Sequence, residues 1–148
     1  MGTLHGIFVS QGGVPKHSID FCMIDSHGIV NDKQENPKYH GGPERAICLL
    51  DYDVLLKLQN EGHPITPGST GENLLISGCE MDIGKKIFVD EVVLEILSAA
   101  SPCYKIADSF LDGEFNRFSN KKHPYDTRWY CKVISEGEIK ISSEVGNL

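Results

Sequence analysis

The chain has 148 residues, which fits one domain of common size, and a chain of this length can bury a hydrophobic core without disulfide or metal cross-links. Hydrophobic residues make up 40% and charged residues 24%, which is typical of a folded globular protein and argues against disorder. The formal net charge of −7 argues against a sequence-independent nucleic-acid binder, because such proteins need a basic surface to displace counterions.

The N-terminus and the cysteines indicate the compartment. The first residues lack the basic region and apolar stretch of a signal peptide, and no run approaches the roughly 18 apolar residues of a membrane span. The five cysteines are odd in number and widely spaced without CxxC or CxxH pairs, which argues against a disulfide framework or a zinc ribbon. We therefore expect a single cytoplasmic domain over residues 1–148, with no nucleic-acid or membrane partner. The oligomeric state stays open.

The first half of the chain begins with a predicted strand and a second apolar run. Residues 6–10 read as a strand that ends at a glycine turn, and residues 18–24 form a second apolar run before another turn. Residues 31–42 are polar and irregular, so we expect a loop there.

One main helix is predicted near residues 43–61. Proline suits the first helical position, so Pro43 is the expected start, and Gly62 is the expected stop. Between them Ala46, Leu49 and Leu58 belong to an apolar face with a spacing near 3.6 residues.

The second half alternates short apolar runs with turn residues. The predicted strands are 74–76, 86–89, 92–97, 128–134 and 138–142. The last two are expected to form a hairpin around Glu136 and Gly137. Many short strands with one main helix and short helical pieces predict a mainly β fold, a closed or partly closed β-barrel.

Residues 39–45 are a first candidate anion site. Gly41 and Gly42 allow close approach of the backbone to a ligand, and a helix starting at the next residue would direct unpaired N–H groups to the same place. His40 and Arg45 add donors suited to phosphate or another oxyanion. The alternative is an ordinary glycine turn before a helix, and the sequence leaves both interpretations open.

The loop at residues 67–73, PGSTGEN, is a second candidate. The successive backbone amides of Ser69 and Thr70 could form an anion-binding nest. It is not a Walker A loop, because no Gly-Lys-Ser/Thr follows. Taken alone, such a loop is more often a polar surface turn.

Cys103 carries the third candidate. Pro102 fixes the loop before it, and the positive charge of Lys105 favours a thiolate, which is the form that ligates metals or attacks electrophiles. A nucleophilic pair with His40 is geometrically possible. The alternative is a small buried core cysteine. That interpretation is assigned to the other four cysteines, Cys22, Cys48, Cys79 and Cys131.

Taken together and in this order, these segments resemble the MOSC family, named for the C-terminal domain of molybdenum-cofactor sulfurase. The matching pieces are residues 31–34, 40–46, 67–74, 83–84 and 102–105. The resemblance covers nearly the whole chain.

The resemblance implies a barrel-like all-β fold and a molybdenum cofactor, whose pterin phosphate and dithiolene make it anionic. It also implies that Cys103 is the thiolate ligand of the metal or a sulfur carrier, and a soft thiolate suits such a metal centre. The residues expected around the cofactor are Lys33, His40, Gly41, Gly42, Arg45, Ser69, Thr70, Asn73, Lys105 and Arg128.

Two departures from the family pattern matter. Relatives commonly have glycine where this chain has Asn31, although asparagine tolerates a positive φ better than most residues. From its length we also expect neither the added N-terminal barrel domain nor the C-terminal helical or ferredoxin domain of larger relatives. A separate electron-donor protein is therefore expected if the protein is a reductase.

Three functions remain open at this point. The first is a molybdenum-cofactor-binding reductase of N-hydroxylated compounds, with Cys103 on the metal. The second is a non-catalytic carrier that holds the cofactor, or sulfur as a Cys103 persulfide, for a molybdoenzyme. The third is a hydrolase with Cys103 and His40 as nucleophile and base, which lacks an evident orienting third residue.

Overall fold

The computed structural model describes residues 2–32 and 42–148. Eleven strands and one α-helix account for most of the regular structure in these ranges. In chain order they are β1 (Gly2–Val9), β2 (His17–Ile19), β3 (Phe21–Asp25), β4 (Gly28–Ile29), β5 (Ile47–Asp51), α1 (Tyr52–Asn60), β6 (Leu74–Ser77), β7 (Lys86–Val89), β8 (Val92–Ala100), β9 (Arg128–Ser135), β10 (Gly137–Lys140) and β11 (Glu144–Asn147). Short 3-10 turns occur at Pro43–Arg45, Tyr104–Ser109, Leu111–Gly113 and Phe115–Phe118.

Seven of these strands close into a barrel. Their order around the barrel is β1, β11, β7, β8, β9, β5 and β6, and the pairing of β6 with β1 completes the ring. Strand β2 extends from β1, while β10, β3 and β4 form a separate three-stranded sheet. The prediction of a mainly β, barrel-like fold with one main helix is confirmed.

Three barrel strands are apolar on both faces because two cores lie on either side of them. Ile7, Leu49 and Leu74 belong to the barrel core. The residues that directly follow them, Phe8, Leu50 and Leu75, belong to a second core outside the barrel. The second core also contains residues of α1 and of the segment after Cys103. Buried on both faces, such strands read as continuous apolar runs.

The main helix begins later than the sequence predicts. Residues 47–51 form strand β5, which pairs antiparallel with β9 and parallel with β6, and α1 starts only at Tyr52. The Asp51 carboxylate caps the helix by accepting from the Asp53 N–H at 2.9 Å. The predicted helix N-terminus at Pro43 is therefore a three-residue 3-10 turn, and the helix-dipole argument for an anion site there is wrong.

The second apolar run, residues 18–24, forms parts of two strands in different sheets, with a bend at Asp20 between them. The predicted final hairpin is wrong, because β10 pairs with β3 and not with β9. Strand β9 is already paired on both sides inside the barrel, so the chain must leave that sheet after Ser135.

Candidate functional site

A cleft lies where the loop after β1, the loop before β6 and the segment after β8 meet. Six of the residues predicted for the site line it: Arg45, Thr70, Asn73, Cys103, Lys105 and Arg128. The β1–β2 loop contributes Val14 and Lys16, and β5 and β9 contribute Cys48 and Tyr130. Residues from Gly13 to Tyr130 thus form one pocket because the barrel closes.

Four cations line the pocket, which contrasts with the net charge of −7 for the whole chain. They are Lys16, Arg45, Lys105 and Arg128. No Asp or Glu appears among the described residues that line it. A concave surface with this charge attracts anions.

Lys16 is held in place by a buried carboxylate. Its ammonium lies 2.7 and 2.9 Å from the two oxygens of Asp32, and the side chains of both residues are at least nine-tenths buried. Asp32 also accepts from the backbone N–H of Ser10 and from Nδ2 of Asn73, both at 2.9 Å. This network fixes the Lys16 head group at the pocket wall.

Asn73 uses its side-chain amide within the protein. Nδ2 donates to Asp32 and to the carbonyl of Phe8, and Oδ1 accepts from the backbone N–H of Cys48. Both amide hydrogens are therefore engaged. Asn73 therefore positions Asp32 and the backbone of Phe8 and Cys48.

Arg128 is the most deeply placed of the pocket cations, with only 7% of its surface exposed. Nη1 donates to the carbonyl of Thr70 at 2.6 Å, and the guanidinium lies 5.5 Å from the ring centre of Phe118. Nε is buried and has no hydrogen-bond partner among the described residues. An unpaired buried donor costs free energy unless a ligand satisfies it.

The loop at residues 67–73 is organised around the buried carboxylate of Glu72. This carboxylate accepts from the Gly68 N–H at 2.7 Å and from the Thr70 hydroxyl at 2.8 Å. Burial raises the pKa of Glu72, although the hydrogen bonds and the charge of Arg128 act in the opposite direction.

Ser69 does not take the position that the sequence suggests. Its N–H donates to the carbonyl of Thr66, and its hydroxyl contacts the Ser109 hydroxyl at 2.8 Å. Ser69 is not among the pocket-lining residues. The amide predicted to bind an anion is therefore used to shape the loop itself.

Cys103 is half-buried, between the exposed residues Ser101 and Tyr104. A second thiol, that of Cys48, lines the same pocket, which the sequence does not indicate. Burial raises the pKa of Cys48 to about 11, so this thiol is neutral at physiological pH. Cys22 and Cys131 are buried as predicted, and Cys79 is half-buried.

Tyr130 and Arg45 form one wall of the pocket. The Arg45 guanidinium lies 5.3 Å from the Tyr130 ring centre, an arrangement typical of a cation–π contact. Burial raises the pKa of Tyr130 to about 12, so its phenol keeps its proton. Neither Lys16 nor Tyr130 is predicted from the sequence, since only the tertiary fold brings them to Cys103.

The remaining predicted site residues are Lys33, His40, Gly41 and Gly42. Lys33, His40 and Gly41 lie outside the described residues. Gly42 is exposed, with a φ of 91°, and does not line the pocket.

Within residues 2–32 and 42–148, no three His, Cys, Asp or Glu side chains form a group that could hold a metal ion. The four cations and the unpaired Arg128 donor of the pocket fit an anionic ligand.

A family model described as the MOSC domain matches residues 36–146, which is more than half of the chain. The chain belongs to the MOSC family. This family is associated with the molybdenum cofactor. At Asn31 φ is 78°, so this asparagine adopts the left-handed conformation, which asparagine tolerates better than most residues.

Two curated relatives are similar to this MOSC chain. YflK of Bacillus subtilis (strain 168), described as uncharacterized, is 26% identical over 135 residues, which cover 88% of this chain and 60% of YflK. YiiM of Escherichia coli (strain K12) is 23% identical over 128 residues, covering 82% of this chain and 56% of YiiM. The chain therefore spans less than two thirds of the length of either relative.

Solved structures share the fold of this MOSC domain. The crystal structure of YiiM from Escherichia coli superposes with a TM-score of 0.71 at 20% identity and covers 99% of this chain and 69% of YiiM. YiiM from Geobacillus stearothermophilus gives a TM-score of 0.76 at 16% identity, covering 100% of this chain and 75% of that YiiM.

Across residues 2–32 and 42–148, none of the helices combines the length and apolar character needed to cross a membrane.

Proposed function

We propose that this MOSC domain binds the molybdenum cofactor in the cationic pocket, with Cys103 as the thiolate ligand of the metal. The observation that carries the proposal is the placement of Cys103 in one cleft with four cations, one of which has a buried donor without a partner. A pterin cofactor with a phosphate and a dithiolene is anionic, and phosphate is well suited to Arg and Lys donors.

Each pocket side chain would have a distinct task. Arg128 and Lys16, both buried and fixed by hydrogen bonds, would bind the anionic groups in the deep part of the cleft. Arg45 and Tyr130 would offer a flat wall to the pterin rings. Cys103 would offer its soft sulfur to the metal from the more exposed side.

We further propose that the loaded domain reduces N-hydroxylated compounds to amines or amidines. When bound, the molybdenum cofactor supplies the two electrons that this N–O bond cleavage needs, and a separate electron-donor protein restores them. Two protons from water complete the reaction, which releases one water molecule for each amine formed. The neutral phenol of Tyr130 and thiol of Cys48 would donate hydrogen bonds without adding negative charge beside the substrate.

The cofactor assignment is tested by the metal content of protein made in a host that synthesises the cofactor. We expect near-equal amounts of molybdenum, pterin and chain in the parent protein, and loss of molybdenum in Cys103→Ala. Cys79→Ala is the matched control, because Cys79 is also half-buried but does not line the pocket. Full molybdenum in Cys103→Ala, with unchanged folding, would show that the ligand assignment is wrong.

Turnover is tested with loaded protein and reduced viologen as a chemical electron donor. We expect conversion of a hydroxylaminopurine or an amidoxime to its reduced product, and no conversion with nicotinamide cofactor alone.

The carrier function is favoured by the partial exposure of Cys103, which leaves its sulfur accessible to a second protein. Transfer of cofactor or sulfur to an apo-molybdoenzyme, without reduction of any substrate, would decide for the carrier.

A further inference from the structure

The outer face of the three-stranded sheet exposes large apolar side chains. Phe21 is 72% exposed, Met23 45% and Val30 41%, whereas Cys22 and Ile24 of the same sheet are buried in the barrel core. We call the three-stranded sheet sheet B, and the surface formed by Phe21, Met23 and Val30, which directly follows β4, the sheet B face. Adjacent exposed apolar residues of this kind mark interaction surfaces when polar groups surround them.

The surroundings of the sheet B face are acidic. A groove beside Phe21 is lined by four carboxylates and one ammonium, which gives an excess of three negative charges. These residues are Asp20, Asp90, Glu91, Glu138 and Lys140. Lys140 lies directly opposite Phe21, and Glu138 opposite Met23, so the charges border the apolar residues.

Two short chain segments connect this face to the pocket. One runs from Lys16 in the pocket through β2 to Phe21, and the other runs from Val30 to Asp32, which holds Lys16. A molecule bound on the sheet B face would therefore lie two to five residues along the chain from the pocket network.

We propose that the sheet B face is the docking site for a partner protein whose contact surface presents apolar side chains bordered by Lys and Arg. The inference rests on the proposed function, which requires an electron donor or a recipient molybdoenzyme. The negative charge beside the sheet B face argues against two other occupants, a second copy of this chain and an anionic lipid surface. A second copy in an isologous contact would place the acidic border against itself, and an anionic lipid surface would meet the same repulsion.

The test uses two synthetic peptides as probes, titrated into the isotope-labelled full chain without cofactor. One alternates lysine with phenylalanine and leucine, and the other replaces each lysine by glutamate. We expect the basic peptide to bind at least about tenfold more tightly, which corresponds to about 1.4 kcal/mol. Amide shifts should map to β3 and β10, and raised salt should weaken binding.

Variants locate the contact. Phe21→Ser combined with Met23→Ser should weaken binding of the basic peptide at least tenfold, whereas Lys132→Gln, an exposed change in β9, should leave it unchanged. Equal binding of both peptides, or shifts confined to other surfaces, would overturn the proposal. So would a dimer of the parent chain in sedimentation equilibrium that the double variant dissociates, or binding to anionic vesicles that it abolishes.

The molybdenum content of the double variant separates this proposal from the cofactor assignment. If the sheet B face serves docking, the double variant should load molybdenum like the parent protein while losing the peptide. If the parent chain binds the peptide on this face but never contains molybdenum, the cofactor assignment fails and the docking surface stands.

Discussion

Asn73 and Cys48 are joined by two hydrogen bonds that connect neighbouring parts of the pocket. The Asn73 N–H donates to the Cys48 carbonyl at 2.8 Å, and the Cys48 N–H donates to Oδ1 of Asn73 at 2.9 Å. Nδ2 of the same amide reaches Asp32, which holds Lys16. One buried amide thus sets the positions of a pocket thiol and a pocket ammonium.

Asn73→Asp should lower the free energy of unfolding by roughly 2–4 kcal/mol, because it removes two buried donors and places a second carboxylate beside Asp32. Urea denaturation measures the change. Asn116→Asp adds the same charge at an exposed residue and should cost less than about 0.5 kcal/mol. Equal stabilities of the two variants would remove Asn73 from the network.

Arg128→Met should weaken anion binding in the pocket. The substitution removes the buried guanidinium with its unpaired donor, and a charge-assisted hydrogen bond contributes roughly 1.5–3 kcal/mol, or about 10–150-fold in affinity. Inorganic phosphate should therefore raise the melting temperature of the cofactor-free parent protein more than that of Arg128→Met.

Lys132→Gln serves as the control for the loss of one positive charge, because Lys132 is exposed and pairs with Glu95 on the barrel exterior. Its phosphate response should match that of the parent. Arg128→Met with an undiminished phosphate response would show that the anion binds elsewhere.

The barrel could be predicted from the sequence, but the start of the helix could not. Short apolar runs separated by turn residues indicate strands whatever their partners are, and the barrel follows from their number. Residues 47–50 are apolar because β5 is buried on both faces, and a short run of that kind fits a helical spacing equally well. Only the pairing of β5 with β9 and β6 resolves the ambiguity.

The pocket likewise contains residues that the sequence indicates and residues that only the fold brings there. Cys103 and Lys105 are close in sequence, and their local pattern is sufficient to single them out. Lys16 reaches the pocket only through the β1–β2 loop and its ion pair with Asp32, whose sequence context reads equally well as a solvated turn. The direction of the Ser69 amide depends on hydrogen bonds inside its loop, which composition does not encode.

Cys48 should make the protein less stable at alkaline pH. Burial raises the pKa of its thiol from 9.0 to about 11, so the folded state disfavours the thiolate. The free energy of unfolding is then unaffected by this group below pH 9 and falls as the pH rises from 9 to 11, by roughly 2–3 kcal/mol. Cys48→Ala lacks this titration.

The measurement is the difference in unfolding free energy between pH 8 and pH 11 for the parent protein and for Cys48→Ala. The parent should lose roughly 2–3 kcal/mol more than the variant, since lysine and tyrosine titrations affect both proteins alike. Parallel pH dependences would mean that the Cys48 thiol is not desolvated. Because Cys48 lines the pocket, Cys48→Ala does not serve as the control for the molybdenum content of Cys103→Ala.

Gly71→Ala should distort the pocket wall, and Gly84→Ala separates this effect from backbone strain. Both glycines have a left-handed backbone, with φ of 84° and 90°. A Cβ on Gly71 would lie 3.0 Å from Cγ1 of the pocket residue Val14, whereas a Cβ on Gly84 would meet nothing within 4 Å.

The left-handed conformation costs an alanine about 1–2 kcal/mol at either position. In Gly71→Ala the Val14 side chain must in addition move by a few tenths of an ångström, in the same β1–β2 loop that carries Lys16. We therefore expect both variants to lose stability in urea denaturation, Gly71→Ala more than Gly84→Ala, and only Gly71→Ala to lose phosphate stabilisation. If the two variants respond equally to phosphate, the contact between the two loops does not shape the anion site.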